Sequence, residues 1–231
     1  MVQVNNTPIT VRVKFFKKGN LQYISHLDLV RTMMKIIVRA KLPLWYTEGF
    51  NPKPKITFAA PLSIGTESMC EFMDVRLTER ISEDEIMQRL NENMTHEMQV
   101  TQVYYPENKL TELSWLEYKI EINSSDINEE LFEPCQKTLS LPKLVVNKKT
   151  KSGEAMVDIK PLIQKAEVEY SQNRLIVSCV LSANSSSFLN PEYIVKVLKE
   201  KCGILKNSDL TEEWYSILRI NAYRADMSKF S

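Results

Sequence analysis

Glycine is scarce in this chain, with five in 231 residues, and none of the five lies in a GxGxxG or GxxxxGK loop. That absence argues against a nucleotide held on a glycine-rich turn. Histidine is scarcer still, with two, and the four cysteines, Cys70, Cys135, Cys179 and Cys202, include no close pair of the kind used by zinc ribbons or iron–sulfur sites. No metal and no cofactor are expected. Each cysteine stands among apolar neighbours, as a small buried side chain in a reducing compartment would. Long hydrophobic runs are missing too, since no window approaches the roughly eighteen apolar residues of a membrane span. Residues 1 to 8 lack the basic start and apolar stretch of a secretory leader, so the expected address is the cytoplasm, with no membrane partner.

What is present is ordinary in amount and uneven in placement. Hydrophobic residues make up 43% and charged residues 26%, the balance of a globular chain able to bury a core. Acidic residues are nearly absent from residues 1 to 61, where ten Lys and Arg stand against Asp28 and Glu48, a net of +8. Residues 62 to 133 carry five basic and seventeen acidic groups, net −12, and residues 134 to 231 fifteen and ten, net +5. The opening third therefore predicts an anionic partner, if any.

Residues 9 to 17 alternate apolar and polar side chains and predict a strand, closed by the turn Lys18-Gly19-Asn20. From Ser25 the spacing becomes helical, with Leu27, Val30, Met34, Ile37 and Lys41 on one stripe, until Pro43 ends it. Extended pieces at 44 to 47 and 55 to 60 precede a strand from Met69 to Leu77. Ser82 opens a second helix with acids in its first turn, and 98 to 105 is again extended. After a polar connector the order repeats: strand 115 to 122, helix 128 to 139, extended pieces at 144 to 148 and 155 to 159, strand 174 to 181, helix 191 to 202, strand 215 to 223. This order predicts an α+β fold of two ferredoxin-like (β-α-β-β-α-β) units with antiparallel sheets, residues 1–108 and 109–231. The lysines at 143, 148, 149 and 151 read first as a solvated loop and second as a further anion patch.

The chemistry-bearing residues cluster between Ser25 and Ser68. Ser25 and Asp28 form a capping-box variant in which Ser25 accepts from the backbone of Asp28 and Asp28 reaches back to the N–H of Ser25. His26 then takes the first helical position, at the positive end of the dipole. Arg31, Lys35 and Arg39 recur every four residues and present three cations on one face. In Gly49-Phe50-Asn51-Pro52-Lys53-Pro54-Lys55 the alternate prolines hold Asn51 and Lys53 extended, which lowers the entropy lost when Asn51, Lys53 and Lys55 grip a ligand. Trp45, Tyr46 and Phe50 supply stacking faces or, alternatively, core.

Tyr23-Ile24-Ser25-His26-Leu27-Asp28-Leu29 with Arg31, then Gly49-Phe50-Asn51-Pro52, Pro54-Lys55, Pro61-Leu62, Gly65 and Glu67-Ser68, together resemble the bacterial radical-SAM-linked domain of unknown function. Lys53 stands where that family usually has His, so a role needing two imidazoles does not carry over. The chain has no CxxxCxxC, so by this resemblance it would be the companion of a radical SAM protein and not the radical generator. The family's usual genomic company of RNA-processing and ribosomal proteins implies RNA as a substrate class.

Three readings follow. In the first, the protein is a non-catalytic module that binds RNA or another anionic substrate through His26, Arg31, Lys35, Arg39, Asn51, Lys53 and Lys55. In the second it is an enzyme with His26 as general base near Asp28 and Lys55, and Glu67 as acid. In the third it is an interaction module docking a basic protein through the acidic middle block, Glu83 to Glu85 included.

Overall fold

The structure is a computed structural model and describes residues 7–124, 127–150, 153–184, 186–206 and 211–231, the side chains of Lys149 and Thr150 excepted. It divides into two compact units, Met1–Glu112 with Ser231, and Leu113–Phe230. The fold is mixed α+β, with four α-helices among the described residues and antiparallel pairing throughout each unit.

In the first unit, β1 (Ile9–Lys17) lies between β4 (Met98–Tyr104) and β3 (Thr66–Leu77), and the short β2 (Ile56–Phe58) pairs with β3. Helix α1 (His26–Arg39) connects β1 to β2, and α2 (Glu83–Asn91) connects β3 to β4. The period-2 pattern of β1 puts Val11, Val13 and Phe15 on the core side, all at 0% exposure, against Leu29, Met33, Ile36 and Ile37 of α1. Burying each such side chain contributes about 1.5–3 kcal/mol. The buried stripe of α1 differs from the expected one. Leu27 is 57% exposed, and the core face runs through Leu29, Met33, Ile36, Ile37 and Ala40.

In the second unit, β5 (Trp115–Asn123) lies between β10 (Trp214–Tyr223) and β9 (Arg174–Ser182), with β8 (Ile163–Ser171) on the far side of β9. Helices α3 (Glu129–Ser140) and α4 (Glu192–Cys202) are its two long connections. Leu116, Tyr118, Ile120 and Ile122 alternate inward along β5. The extended pieces expected near 144 to 148 and 155 to 159 do form, as β6 (Val145–Thr150) and β7 (Gly153–Asp158), but they pair only with each other in a two-stranded sheet. Strand β8, absent from the predicted order, takes the sheet position expected of them. Lys143 of the basic run is exposed and Lys148 donates to the carbonyl of Phe188 at 3.3 Å. The Lys149 side chain and Lys151 lie outside what the structure describes.

No helix is long and apolar enough to cross a membrane among the described residues.

Candidate functional site

Helix α1 starts where the sequence says it should. Ser25 has extended backbone, and its Oγ accepts from the N–H of Asp28 at 3.1 Å, satisfying one of the orphan donors of the first turn. The return bond differs from the capping-box expectation: the Asp28 carboxylate accepts the Ser25 hydroxyl at 2.6 Å and not the Ser25 N–H. That hydroxyl, and then Arg31 at 3.3 Å, hold the Asp28 carboxyl below its ordinary range. Arg31 is therefore partly neutralised, although 64% of its side chain is exposed.

His26 turns edge-on to Phe58 of β2, ring centres 5.4 Å apart at 81°, and its Nδ1 is buried without a hydrogen-bond partner. The segment before it is tied from inside. Lys17 is 1% exposed, and its Nζ donates to the carbonyl of Leu21 at 3.0 Å in the 3-10 turn Gly19–Tyr23. Glu67 anchors the same turn by accepting the N–H of Gly19 at 2.7 Å, and Gly65 donates to the carbonyl of Gln22 at 2.9 Å. Tyr23, Leu27 and Ile64 stand exposed around this helix start.

The proline-stiffened heptad forms a projecting loop on a short ladder. Trp45 donates to Arg76 and Lys55 to Trp45, at 2.8 and 2.9 Å, while Arg76 donates back to Lys55 at 3.0 Å. Beyond them Tyr46 bridges Pro54, and Thr47 donates to the carbonyl of Lys53 at 2.9 Å. The Lys53 N–H returns to the Thr47 hydroxyl at 3.1 Å, which pins the neck of the loop. Pro54 is buried, whereas Glu48, Gly49, Phe50, Asn51, Pro52, Lys53 and Lys55 are exposed. Gly49 has φ +115°, a conformation that costs an L side chain dearly and glycine little. Phe50 is 111% exposed, more open than in an isolated chain, which removes the core alternative for this ring.

The predicted residues thus fall into separate groups. Ser25, His26, Asp28 and Arg31 share the first turns of α1; Asn51, Lys53 and Lys55 share the loop; Glu67 is committed to Gly19. No hydrogen bond or ion pair joins these groups among the described residues, and none links His26 with Asn51 or Glu67. Lys35 and Arg39 are exposed on α1, but Arg39 borders a recess with Arg89 and Glu92 of the acidic block. Within that block Glu83 pairs with Arg80, and Glu85 with Arg89. Two of the ten cations of the opening third are not surface groups at all: Lys17 caps carbonyls, and Arg12, also buried, pairs with Asp74 at 2.7 Å. The second unit adds a feature that spacing could not reveal, the approach of Cys135 and Cys202.

Residues 10–191 match the family described as "Uncharacterized protein conserved in bacteria (DUF2344)". The chain belongs to this family. The matched region of this DUF2344 protein includes the helix start, the projecting loop and the second unit as far as the residue before α4. A chain of the solved Cbf5–Nop10–Gar1 complex is similar at 9% identity and a TM-score of 0.51, over 92% of this chain and 48% of its own. The DUF2344 chain thus spans about half the length of that relative, and the likeness concerns the fold alone. An unknown protein from Galdieria sulphuraria is similar at 10% identity and a TM-score of 0.27, over 92% of this chain and 99% of its own. No curated protein matches the chain.

Proposed function

We propose that this bacterial protein is a non-catalytic binding module that holds single-stranded RNA on its first unit and presents it to a radical SAM partner. Both units are read as ferredoxin-like, since β4-β1-β3-β2 and β10-β5-β9-β8 repeat one strand order. The reading rests on one observation: Phe50 stands wholly in solvent on a proline-stiffened loop, with Lys53 and Lys55 exposed beside it and in no ion pair with any described residue. An exposed aromatic ring is a stacking platform for a base of any identity, worth about 1–3 kcal/mol per base. The two ammonium groups suit the phosphates on either side and position a strand without reading its sequence. Exposed Lys35 and Arg31 on α1 extend the supply of positive charge. Catalysis by His26 has less support, because Glu67 is spent on Gly19 and His26 faces Phe58.

The test is fluorescence anisotropy with a labelled single-stranded RNA at low salt. Phe50→Ala is expected to weaken binding about tenfold at every salt concentration. Lys53→Glu with Lys55→Glu is expected to weaken it more and to lower the salt slope by roughly one per lysine removed. Wild-type affinity in both variants, with unchanged circular dichroism, would sink the proposal.

A further inference from the structure

Three of the four cysteines are buried, and the fourth, Cys202, is partly exposed, contrary to the expectation of four inert core thiols. Cys202 is the last residue of α4, which ends at Gly203 in the left-handed region. Cys135 lies on α3, the helix that packs against α4, at 0% exposure. Thr138, one turn along α3 from Cys135, sets its hydroxyl 3.4 Å from the Cys202 sulfur. Cys135 and Thr138 lie three residues apart on one face of α3, the face that Thr138 turns to the Cys202 sulfur, and the Cys135 and Cys202 thiols interact electrostatically. One partly exposed sulfur thus meets a hydroxyl, with a second cysteine one turn back on the same helix face.

We propose that Cys202 and Cys135 form a peroxide-sensitive thiol pair, Cys202 as the attacking sulfur and Cys135 as the resolving one, which closes to a disulfide between α3 and α4. The arrangement divides the two roles. The hydrogen bond from Cys135 lowers the Cys202 pKa, with smaller help from Thr138 and neighbouring Lys201 against the opposing effect of burial. The same hydrogen bond and burial raise Cys135, which therefore keeps its proton until it is needed. The C-terminal end of α4 disfavours an anion at Cys202 and opposes this lowering, while the Thr138 hydroxyl acts on the sulfur at 3.4 Å. Cys179 provides the contrast. Burial, with the nearby Glu117 carboxylate, pushes its thiol up to about 12.

The chemistry balances with hydrogen peroxide as the oxidant. The Cys202 thiolate attacks one peroxide oxygen, the O–O bond breaks, and hydroxide leaves to take up the proton that Cys202 had released, giving water and a sulfenic acid. The Cys135 sulfur then attacks the Cys202 sulfur, forming S–S and breaking S–O, and its proton leaves with the hydroxyl as a second water. Two thiols lose two electrons and one peroxide becomes two waters.

The experiment uses reduced full-length protein. Iodoacetamide at neutral pH is expected to alkylate Cys202 at least about tenfold faster than Cys70 or Cys179. Limited peroxide, followed by alkylation and peptide mass mapping, is expected to yield a Cys135–Cys202 linked peptide that dithiothreitol reverses. In Cys135→Ser, and in Cys135→Ala in case the serine variant does not fold, that peptide is lost and Cys202 becomes reactive to dimedone. Alkylation of Cys202 no faster than of the buried thiols overturns the proposal. So does peroxide treatment that leaves both thiols reduced, or that carries Cys202 to sulfinic acid while Cys135 stays reduced.

Discussion

Arg12 is 0% exposed, and the structure accounts for its charge. Its Nε meets Asp74 Oδ1 at 2.7 Å and one Nη donates to the carbonyl of Asn108 at 2.9 Å. Burial is the largest single influence and would lower its pKa, but the Asp74 carboxylate, with help from Tyr104, more than offsets it and keeps the guanidinium charged. Such a pair contributes little net stability against an apolar pair of the same shape, yet breaking it strands a buried charge. Asp74→Ala is therefore expected to cost about 3–5 kcal/mol, and Arg12→Met with Asp74→Leu far less. Urea unfolding of the three proteins checks this; equal midpoints for the two variants would contradict it. Nothing in the sequence alone separates Arg12 from the surface cations, because its partner is 62 positions away. Lys17 was more legible. Odd positions of β1 point to the core, and Lys17 follows Val11, Val13 and Phe15 in that register. Phe50 was legible in type but not in placement, since an aromatic between Gly49 and Asn51, just ahead of Pro52, fits either a core or a loop tip.

Helix α1 shows why elements read better than faces. Its start follows from Ser25, but it ends at Arg39, with Lys41 in the left-handed region two residues ahead of Pro43 and not on the helix; and Leu27, Leu29, Val30, Met33, Met34, Ile36, Ile37 and Val38 supply more apolar positions than one stripe can hold. Two stripes passed through Ile37, and only the sheet beneath chooses between them. Met33→Ala is expected to cost about 2–5 kcal/mol, and Leu27→Ala no more than about 0.5 kcal/mol. Thermal unfolding distinguishes the two, and a larger loss at Leu27 would refute the observed face. Strand β8 has the alternation of a strand, since Lys165, Glu167 and Glu169 face out between Ala166, Val168 and Tyr170 and protect a sheet edge, but its end is poorly marked. Its turn into β9 uses Gln172 and Asn173, both at positive φ, without the glycine that usually marks such a hairpin. The β6–β7 pair had clear strand chemistry, but pattern alone does not say which sheet a strand joins.

At the scale of the whole molecule, ion pairs such as Arg80–Glu83, Arg89–Glu85 and Lys137–Glu133 join groups three or four positions apart. Four carboxylates spread over both units share one property: each is held below its ordinary range by a local donor. Asp28 has the Ser25 hydroxyl, Glu133 has Lys137, Asp158 has the N–H groups of Leu144 and Lys160, and Asp226 has Ser228. A carboxylate lowered in the folded state stabilises the fold fully above its unfolded value of about 4, and that contribution is lost as pH falls through the folded value. Urea midpoints are thus expected to fall on acidification below about pH 4. Asp158→Asn should flatten part of the fall and converge with wild type at the acid end, while a constant gap at all pH values would contradict the assignment. At the neck of the projecting loop the Thr47–Lys53 bonds lie just beyond the ladder that joins Trp45, Lys55 and Arg76, and residues 48–52 make no hydrogen bond or ion pair among the described residues. The apex is mechanically decoupled from folding, so Glu48, Phe50 and Asn51 can change at almost no cost in stability, whereas Gly49, at φ +115°, cannot. The loop tip is thus open to variation in sequence above a scaffold that stays as it is.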